Sequence, residues 1–414
     1  MKDQILNHLN NPSQLEKLYR SNRATFKREF STIYPDLKGN MLADFWNERL
    51  NYENDEINWG TGRELLFVII AGLVAGFIAK IPAMFQVQEE FFYPRNISFI
   101  FLPLLAAYFA WKNNLQPKLI AAICGVILVS LVYINLLPVS NTSDTLILAC
   151  IHLPLLIWAT LGSAFVGNNL YDYSKRLDFL RYNGDLIVMT TLILIAGGIM
   201  TGLTIGLFAL IGFQIEELYF EYVGIFGLAA APIVGTYLTQ TNPQLVSKVS
   251  PVIAKIFSPL VLGMLVIYLS AILYSGKDPY NDREFLIIFN LLLIGVMAII
   301  FFSVAESSRN NNSTSSNWIL LLLSIVTILV NGIALSAILF RIAEWGITPN
   351  RLAVLGGNLL ILANLLLVAV NLFRVVQRKV GTERVGRSIA VYLPVYLGWI
   401  IIVVFLFPLL FGFK

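Results

Sequence analysis

Eleven stretches of this chain are apolar enough to cross a bilayer as helices, and that repetition constrains the fold more than any other feature. They are Leu65–Phe85, Ile97–Trp111, Pro117–Leu137, Thr145–Val166, Leu186–Ile211, Tyr219–Leu238, Ile253–Tyr274, Phe285–Val304, Trp318–Phe340, Leu352–Phe373 and Ile389–Leu410. Crossing the hydrocarbon core takes roughly 20 apolar residues as a helix, because lipid offers no partner to a backbone N–H or C=O. The second run gains its length by starting near Pro94, and the fifth is long enough to tilt. Charge agrees with this reading. Only 13% of the 414 residues are charged, against roughly 25% in a soluble domain, so lipid must cover much of the surface. The expected fold is an all-α polytopic transmembrane bundle of about eleven spans, residues 64–414, after a small N-terminal cytosolic helical hairpin, residues 1–63.

Lys and Arg in the short loops set the orientation. With the N-terminus inside, twelve fall on the inner side: Lys112, Lys118, Lys175, Arg176, Arg181, Lys248, Arg309, Arg374, Arg378, Lys379, Arg384 and Arg387. Six fall outside: Arg95, Lys277, Arg283, Arg341, Arg351 and Lys414. Acidic residues, among them Glu89, Glu90, Glu216, Glu217, Asp278 and Asp282, collect on the outer side. This pattern predicts a multi-pass protein of the bacterial inner membrane, N-terminus cytosolic and C-terminus periplasmic. The net charge of +4 gives no reason to expect a nucleic-acid partner.

The segment before Arg63 reads as two amphipathic helices. Leu15, Leu18, Tyr19, Phe26, Phe30 and Ile33 follow helical spacing up to Pro35, with Ser13 and Glu16 placed as a capping box. Met41, Leu42, Phe45, Trp46 and Leu50 form the face of the second helix. Two short helices cannot bury those aromatics alone. Residues 13–51 therefore either dock a cytosolic or membrane protein partner or pack on the protein's own loops and the lipid surface. Nine basic residues against ten acidic ones up to Glu64 predict no strong attraction to anionic lipid.

Ionisable groups inside spans mark function by default, since burying charge in lipid is costly. Here they are few. Lys80 and Lys255 sit near span ends and are expected to snorkel. His152, two residues before Pro154, either satisfies a helix carbonyl or serves as a proton relay or ligand. The amides Asn331, Asn358, Asn364 and Asn371, with Asn290, either line a polar cavity or hydrogen-bond neighbouring helices. Gly198, Gly202 and Gly206, and again Gly224, Gly227 and Gly235, predict close helix contacts within the chain, with a dimer face as the alternative. Cys124 and Cys150 read as small buried packing residues. No spacing suggests a metal site, and no cofactor is called for.

One loop is distinctive: Arg341-Ile-Ala-Glu-Trp-Gly-Ile-Thr-Pro-Asn-Arg351. Gly346 suits a left-handed helix end, Thr348 a helix cap and Pro349 the first turn that follows. Arg341 and Glu344 are spaced to pair, Trp345 suits the membrane interface, and Asn350 and Arg351 open the next helix. The string Gly346 to Arg351, with its flanking apolar helices, resembles the bacterial membrane-protein family known as domain of unknown function 4153, or a close relative. The resemblance implies a bacterial inner membrane and carries over no catalytic residue.

Three functional classes follow. A permease or facilitator of a neutral solute fits the span number and the lack of carboxylates in mid-span. A non-catalytic sensor, scaffold or accessory subunit fits the conspicuous features at both faces. An enzyme is the weakest reading, because the chain holds no nucleophile elbow, paired aspartates or His-Glu-x-x-His site. Transport is the leading expectation; oligomeric state is not legible.

Overall fold

The computed structural model describes residues 2–9, 11–21, 23–51, 58–138, 143–210, 214–247, 249–275, 283–307 and 314–413. The charge assignments at Lys248, Lys277, Asp278, Asp282, Arg309 and Lys414 lie outside them. The described residues contain helices and no strand, divided into two compact units, Met1–Asn58 and Trp59–Lys414.

The first unit has four helices, α1 (Lys2–Asn7), α2 (Pro12–Ser21), α3 (Arg23–Leu37) and α4 (Met41–Asn51). They enclose a core of Ile5, Leu15, Phe26, Phe30, Ile33 and Trp46, so the aromatics are buried against one another. Tyr19, Phe26 and Trp46 meet edge-on or tilted at centroid distances of 5.1–5.7 Å, the arrangement their quadrupoles favour. Four details differ from the sequence reading. The expected two-helix hairpin is four helices, the first expected helix being divided into α2, which ends at Ser21, and α3, which starts at Arg23, with α1 before them. Asn11 caps α2, its Oδ1 accepting from the Gln14 N–H at 3.2 Å, which puts Pro12 at the first helical position and leaves Ser13 inside. Pro35 lies within α3, where only the last turn loses a bond and buried Phe30 and Ile33 hold the helix. On α4, Trp46 and Leu50 face inward with Ala43, whereas Met41 (90% exposed) and Phe45 (58%) face out.

Glu16 ties α2 to α4. It accepts from Arg20 at 2.8 Å and pairs with Arg49 at 3.0 Å. The Arg20 hydrogen bond holds its carboxyl below the usual glutamate value, against a smaller opposing effect of desolvation and with help from the charge of Arg49. A depressed folded-state pKa stabilises fully above the unfolded value, about 4.3, and the contribution fades as pH falls through the folded value. Amide exchange in α2, corrected for intrinsic rates, should therefore lose protection below about pH 4. Glu16→Gln should remove that pH dependence, and a wild-type profile flat from pH 7 to 3 would contradict the assignment.

The second unit contains α5 (Gly62–Ala79), α6 (Ile81–Phe85), α7 (Glu89–Lys112), α8 (Pro117–Leu136), α9 (Asp144–Val166) and α10 (Tyr173–Leu210). Then come α11 (Glu216–Tyr219), α12 (Ile225–Thr241), α13 (Gln244–Ser247), α14 (Val249–Ser275), α15 (Arg283–Ser307), α16 (Thr314–Trp345), α17 (Pro349–Val376), α18 (Glu383–Ile401) and α19 (Phe407–Leu410). Single π-helical turns at Phe220–Gly224 and Ile402–Leu406 join α11 to α12 and α18 to α19. All eleven expected runs fall on helices, and nine helices among the described residues are long and apolar enough to cross a membrane. The other two are α7, which carries Glu89, Glu90, Arg95 and Asn96 near its start, and α14, whose apolar described stretch is Ile256–Ile267.

Two cores organise the bundle. One joins α5, α7, α8, α9 and α12; the other joins α14 to α18. Trp158 of α9 packs against both, and its indole N–H donates to Asn183 Oδ1 of α10 at 2.8 Å. Along α5 the buried positions are small (Val68, Ala71, Ala75), while Leu66, Ile69, Ile70, Leu73 and Phe77 face out. This is the pattern expected in lipid, where large apolar groups gain nothing by hiding and small ones let backbones approach.

Close approach falls on other glycines than those singled out. A Cβ at Gly76 would sit 2.1 Å from the Phe226 ring, and one at Gly72 would sit 3.2 Å from Ala230, so α5 and α12 meet through this pair. Gly235 does abut Thr190 of α10. A Cβ at Gly198, Gly202, Gly206 or Gly227, by contrast, would meet nothing within 4 Å among the described residues, so there these glycines mark no tight contact. Both cysteines are free; Cys124 is exposed and Cys150 half-buried, which corrects the expectation that both are buried packing groups. Gly76→Val should lower stability in detergent by about 1–3 kcal/mol through overpacking. Gly198→Val should leave the melting curve unchanged; equal effects at both sites would refute this packing.

Candidate functional site

Asn290, Asn331, Asn358 and Asn364 line one polar seam between α15, α16, α17 and α18. Asn358 is its hub. Its Nδ2 donates to Asn290 Oδ1 of α15 at 2.8 Å, and its carbonyl accepts from Asn331 Nδ2 of α16 at 3.2 Å. Asn364 lies six residues on, about 9 Å along the helix axis, and donates from Nδ2 to the Tyr396 hydroxyl of α18 at 3.1 Å. Tyr396 in turn lies 3.5 Å from Met297 Sδ of α15. Asn371 is half-buried.

The helix α16 extends this seam. Asn317, Ser324 and Asn331 recur every seven residues with Thr327 between them, and all four are buried. Seven residues are close to two helical turns, so the four share a face. Asn317 to Asn331 spans about 21 Å, most of a hydrocarbon core of about 30 Å. Ser324 and Thr327 donate to carbonyls one turn back, Leu320 and Leu323, at 2.8 and 2.6 Å. The sequence reading found Asn331 but missed this stripe, whose signal was the seven-residue polar spacing inside an apolar run.

Three side-chain oxygens along the seam are buried and have no hydrogen-bond partner among the described residues: Asn317 Oδ1, Asn331 Oδ1 and Asn364 Oδ1. Turning Asn331 over would bring its oxygen against the Asn358 carbonyl, so its orientation is fixed. Turning Asn364 over would trade its oxygen for its nitrogen and still leave one end without such a partner. An unsatisfied buried polar atom costs about 1–3 kcal/mol. The seam thus presents a fixed acceptor at Asn331 and, in the orientations described, further acceptors at Asn317 and Asn364 in a closed interior.

The histidine serves its own helix. His152 Nδ1 lies 2.9 Å from the Leu148 carbonyl, four residues earlier. A carbonyl only accepts, so Nδ1 carries the proton and Nε2 is the acceptor.

The loop after α16 has the expected local structure. Gly346 is left-handed at φ +77°. The Thr348 hydroxyl accepts from the Arg351 N–H at 3.3 Å, and Pro349 opens α17. Arg351 Nη1 reaches back to the carbonyls of Trp345 and Gly346, at 2.8 and 2.7 Å. Glu344 is exposed, and Arg341 and Asn350 are half-buried.

Three charged groups that sequence counting placed in loops or at lipid surfaces are instead held by other helices. Arg95 sits within α7 and donates to the Ile134, Leu137 and Pro138 carbonyls at the end of α8, at 3.2–3.5 Å. Beside it, Asn96 and Asn135 exchange reciprocal amide bonds. Lys80 does not snorkel: it is buried, pairs with Glu221 at 3.2 Å and lies over the Tyr222 ring. Arg181 joins Asp178 at 2.6 Å and buried Glu306 at 3.3 Å.

Glu64 forms the densest cluster. Its Oε1 accepts from the Tyr108 hydroxyl and from Lys112 Nζ at 3.1 Å, while Thr61 caps its backbone N–H. Tyr237 of α12 hydrogen-bonds the Trp59 carbonyl beside it, so residues just before α5 are tied into the bundle. Among the described residues no group of three or more His, Cys, Asp or Glu side chains could hold a metal ion. Glu64→Gln and Lys112→Met should each cost about 1–3 kcal/mol by leaving a partner unmatched. The double variant should cost less than the two together; strict additivity in that cycle would show that the pair does not interact.

Comparison with protein-family models, curated proteins and solved structures finds no match to this chain.

Proposed function

We propose that this integral membrane protein is a facilitator for a small neutral solute that donates hydrogen bonds, moving along the seam of α16 and α17. The observation that carries the reading is the row of buried oxygens, Asn317 Oδ1, Asn331 Oδ1 and Asn364 Oδ1, without partners among the described residues. A donor-rich neutral molecule would satisfy them, whereas an anion would be repelled. Glu306, a buried carboxylate at the end of α15, is paired with Arg181, which suits uncoupled movement rather than proton or cation coupling. The seam is closed, so the reading requires an alternation between closed and open states of the α14–α18 half.

The setting belongs to the same proposal. The protein lies in a bacterial inner membrane, with the N-terminal unit in the cytosol and α16 meeting α17 on the outer side. The distribution of Lys and Arg along the sequence supports this orientation. The string Gly346 to Arg351 supports membership of the domain-of-unknown-function 4153 group.

Urea and glycerol are suitable probes, being small, neutral and rich in donors. Proteoliposomes mixed with either should re-swell faster than protein-free vesicles in stopped-flow light scattering. Asn331→Leu should slow that phase about fivefold, the effect of one hydrogen bond of about 1 kcal/mol. Rates equal to empty vesicles for both probes would remove the transport reading and leave the accessory or scaffold subunit, which the outward Met41 and Phe45 of α4 favour.

A further inference from the structure

The helices α10 and α18 begin side by side. Arg176, in the first turn of α10, donates from Nε to the Leu170 carbonyl at 2.9 Å and from Nη1 to the Ala390 carbonyl of α18 at 3.1 Å. Gly386 lets the two helices approach, since a Cβ there would sit 2.6 Å from Leu177 Cδ2. Both α10 and the run from α18 to Leu410 are long and apolar enough to cross a membrane, so the two starts lie at one bilayer surface.

At that surface α18 displays two arginines in line with apolar side chains. Arg384, Arg387, Val391 and Val395 are spaced by three, four and four residues, so they share one face of the helix. All four are exposed, while Val385, Gly386, Ile389 and Ala390 are buried on the other side. Val391 lies about 6 Å and Val395 about 12 Å beyond Arg387 along the axis, within the depth of one leaflet's hydrocarbon, about 15 Å.

Arg387 is held where it stands. Its Cζ lies 5.2 Å from the centroid of the Tyr173 ring, within the range of cation–π attraction. The Arg176 guanidinium lies 5.7 Å from the same ring, but Arg176 is committed to the two carbonyls. Among the described residues the guanidinium groups of Arg384 and Arg387 make no hydrogen bond and no ion pair, and each has five N–H donors. Asp172 accepts from the N–H groups of Ser174 and Lys175 at 3.0 and 3.2 Å, and Asp178 pairs with Arg181 at 2.6 Å. Lys175, Arg176, Arg384 and Arg387 then outnumber Asp172 and Glu383, which leaves the two helix starts net positive.

We propose that Arg384 and Arg387 hold the phosphate of an anionic phospholipid, whose acyl chains lie along Val391 and Val395. Arginine suits a phosphate through its planar fork of donors. A headgroup phosphate followed by hydrocarbon matches a helix face on which arginine is followed by exposed valine, in the same order and at the same depth. A soluble anion would use the arginines and leave the valines without a partner. Tyr173 and Arg176 are positioning residues: the ring orients Arg387, and the two carbonyl bonds of Arg176 keep α18 against α10.

The test uses the full chain, purified in a non-ionic detergent, stripped of lipid and titrated in native mass spectrometry. The probes are phosphatidylglycerol, phosphatidylcholine with the same acyl chains, and inorganic phosphate. Phosphatidylglycerol should bind, phosphatidylcholine should bind about tenfold more weakly, and inorganic phosphate should not displace the lipid; a tenfold change is about 1.4 kcal/mol. Arg384→Gln should melt as the wild type does and weaken phosphatidylglycerol binding about fivefold, the loss of about 1 kcal/mol for one basic residue at a membrane surface. Arg387→Gln should weaken binding at least as much; it also uncovers the Tyr173 ring, so Arg384→Gln decides the matter if that variant melts early. Lys118→Gln, at an exposed cation where α8 begins, should bind the lipid as the wild type does. Unchanged binding in Arg384→Gln, an equal loss in Lys118→Gln, equal binding of phosphatidylcholine, or displacement by inorganic phosphate would each overturn the assignment.

Discussion

Hydrocarbon offers no hydrogen-bond partner, and the second unit is organised around that fact. Its buried charged side chains are placed where another helix has something to give. Arg95 completes the exposed carbonyl end of α8, where the helix dipole also favours a cation. Lys80 meets Glu221 beneath an aromatic ring, and Arg181 meets Glu306. The two ion pairs join helices distant in sequence, so the polar contacts that avoid an isolated buried charge also fix which helices are neighbours. In membranes such contacts average only about 0.6 kcal/mol for neutral groups. Their value here lies in specifying partners more than in net stability.

The apolar residues follow the complementary rule. In the second unit glycines such as Gly76, Gly184 and Gly356 let the large side chains of neighbouring helices approach, and leucine, isoleucine and phenylalanine both fill the cores and face outward. The first unit differs at its surface. There Trp46, Phe26 and Phe30 are buried, and charged Glu16, Arg20 and Arg49 form a network at its surface, as in a small domain surrounded by water. The many outward-facing leucine, isoleucine and phenylalanine side chains of the second unit, on helices long enough to span, mark it as the one that meets lipid.

The helices were legible because runs of apolar residues translate directly into spans. Asn358 and Asn364 were likewise visible as polar residues in apolar surroundings, and Gly346, Thr348 and Pro349 announced their turn through backbone chemistry alone. Partners were harder to read. Nothing local to Lys80 distinguishes a snorkelling lysine from one paired with Glu221, and Arg95 counts as a loop charge until the fold brings the end of α8 beside it. The glycine repeat at Gly198, Gly202 and Gly206 misled for the same reason: small residues permit close approach but do not supply the neighbour. Pro35 reads as a helix end, yet burial of Phe30 and Ile33 carries α3 past it. The stripe on α16 was present in the seven-residue spacing of Asn317, Ser324 and Asn331, but a search for charge passes over neutral residues.

The central claim is that these apolar helices cross a bilayer in alternation, with the turn after α16 outside and the ends of α17 and α10 nearest Arg378 and Lys175 in the cytosol. It is tested most directly by replacing Cys124 and Cys150, then placing a single cysteine at Ser174, Ile347 or Thr382 and treating intact bacterial cells with a membrane-impermeant maleimide. The account predicts labelling at position 347 in intact cells, and at 174 and 382 only after the membrane is opened. Labelling at 382 in intact cells with 347 protected would contradict it.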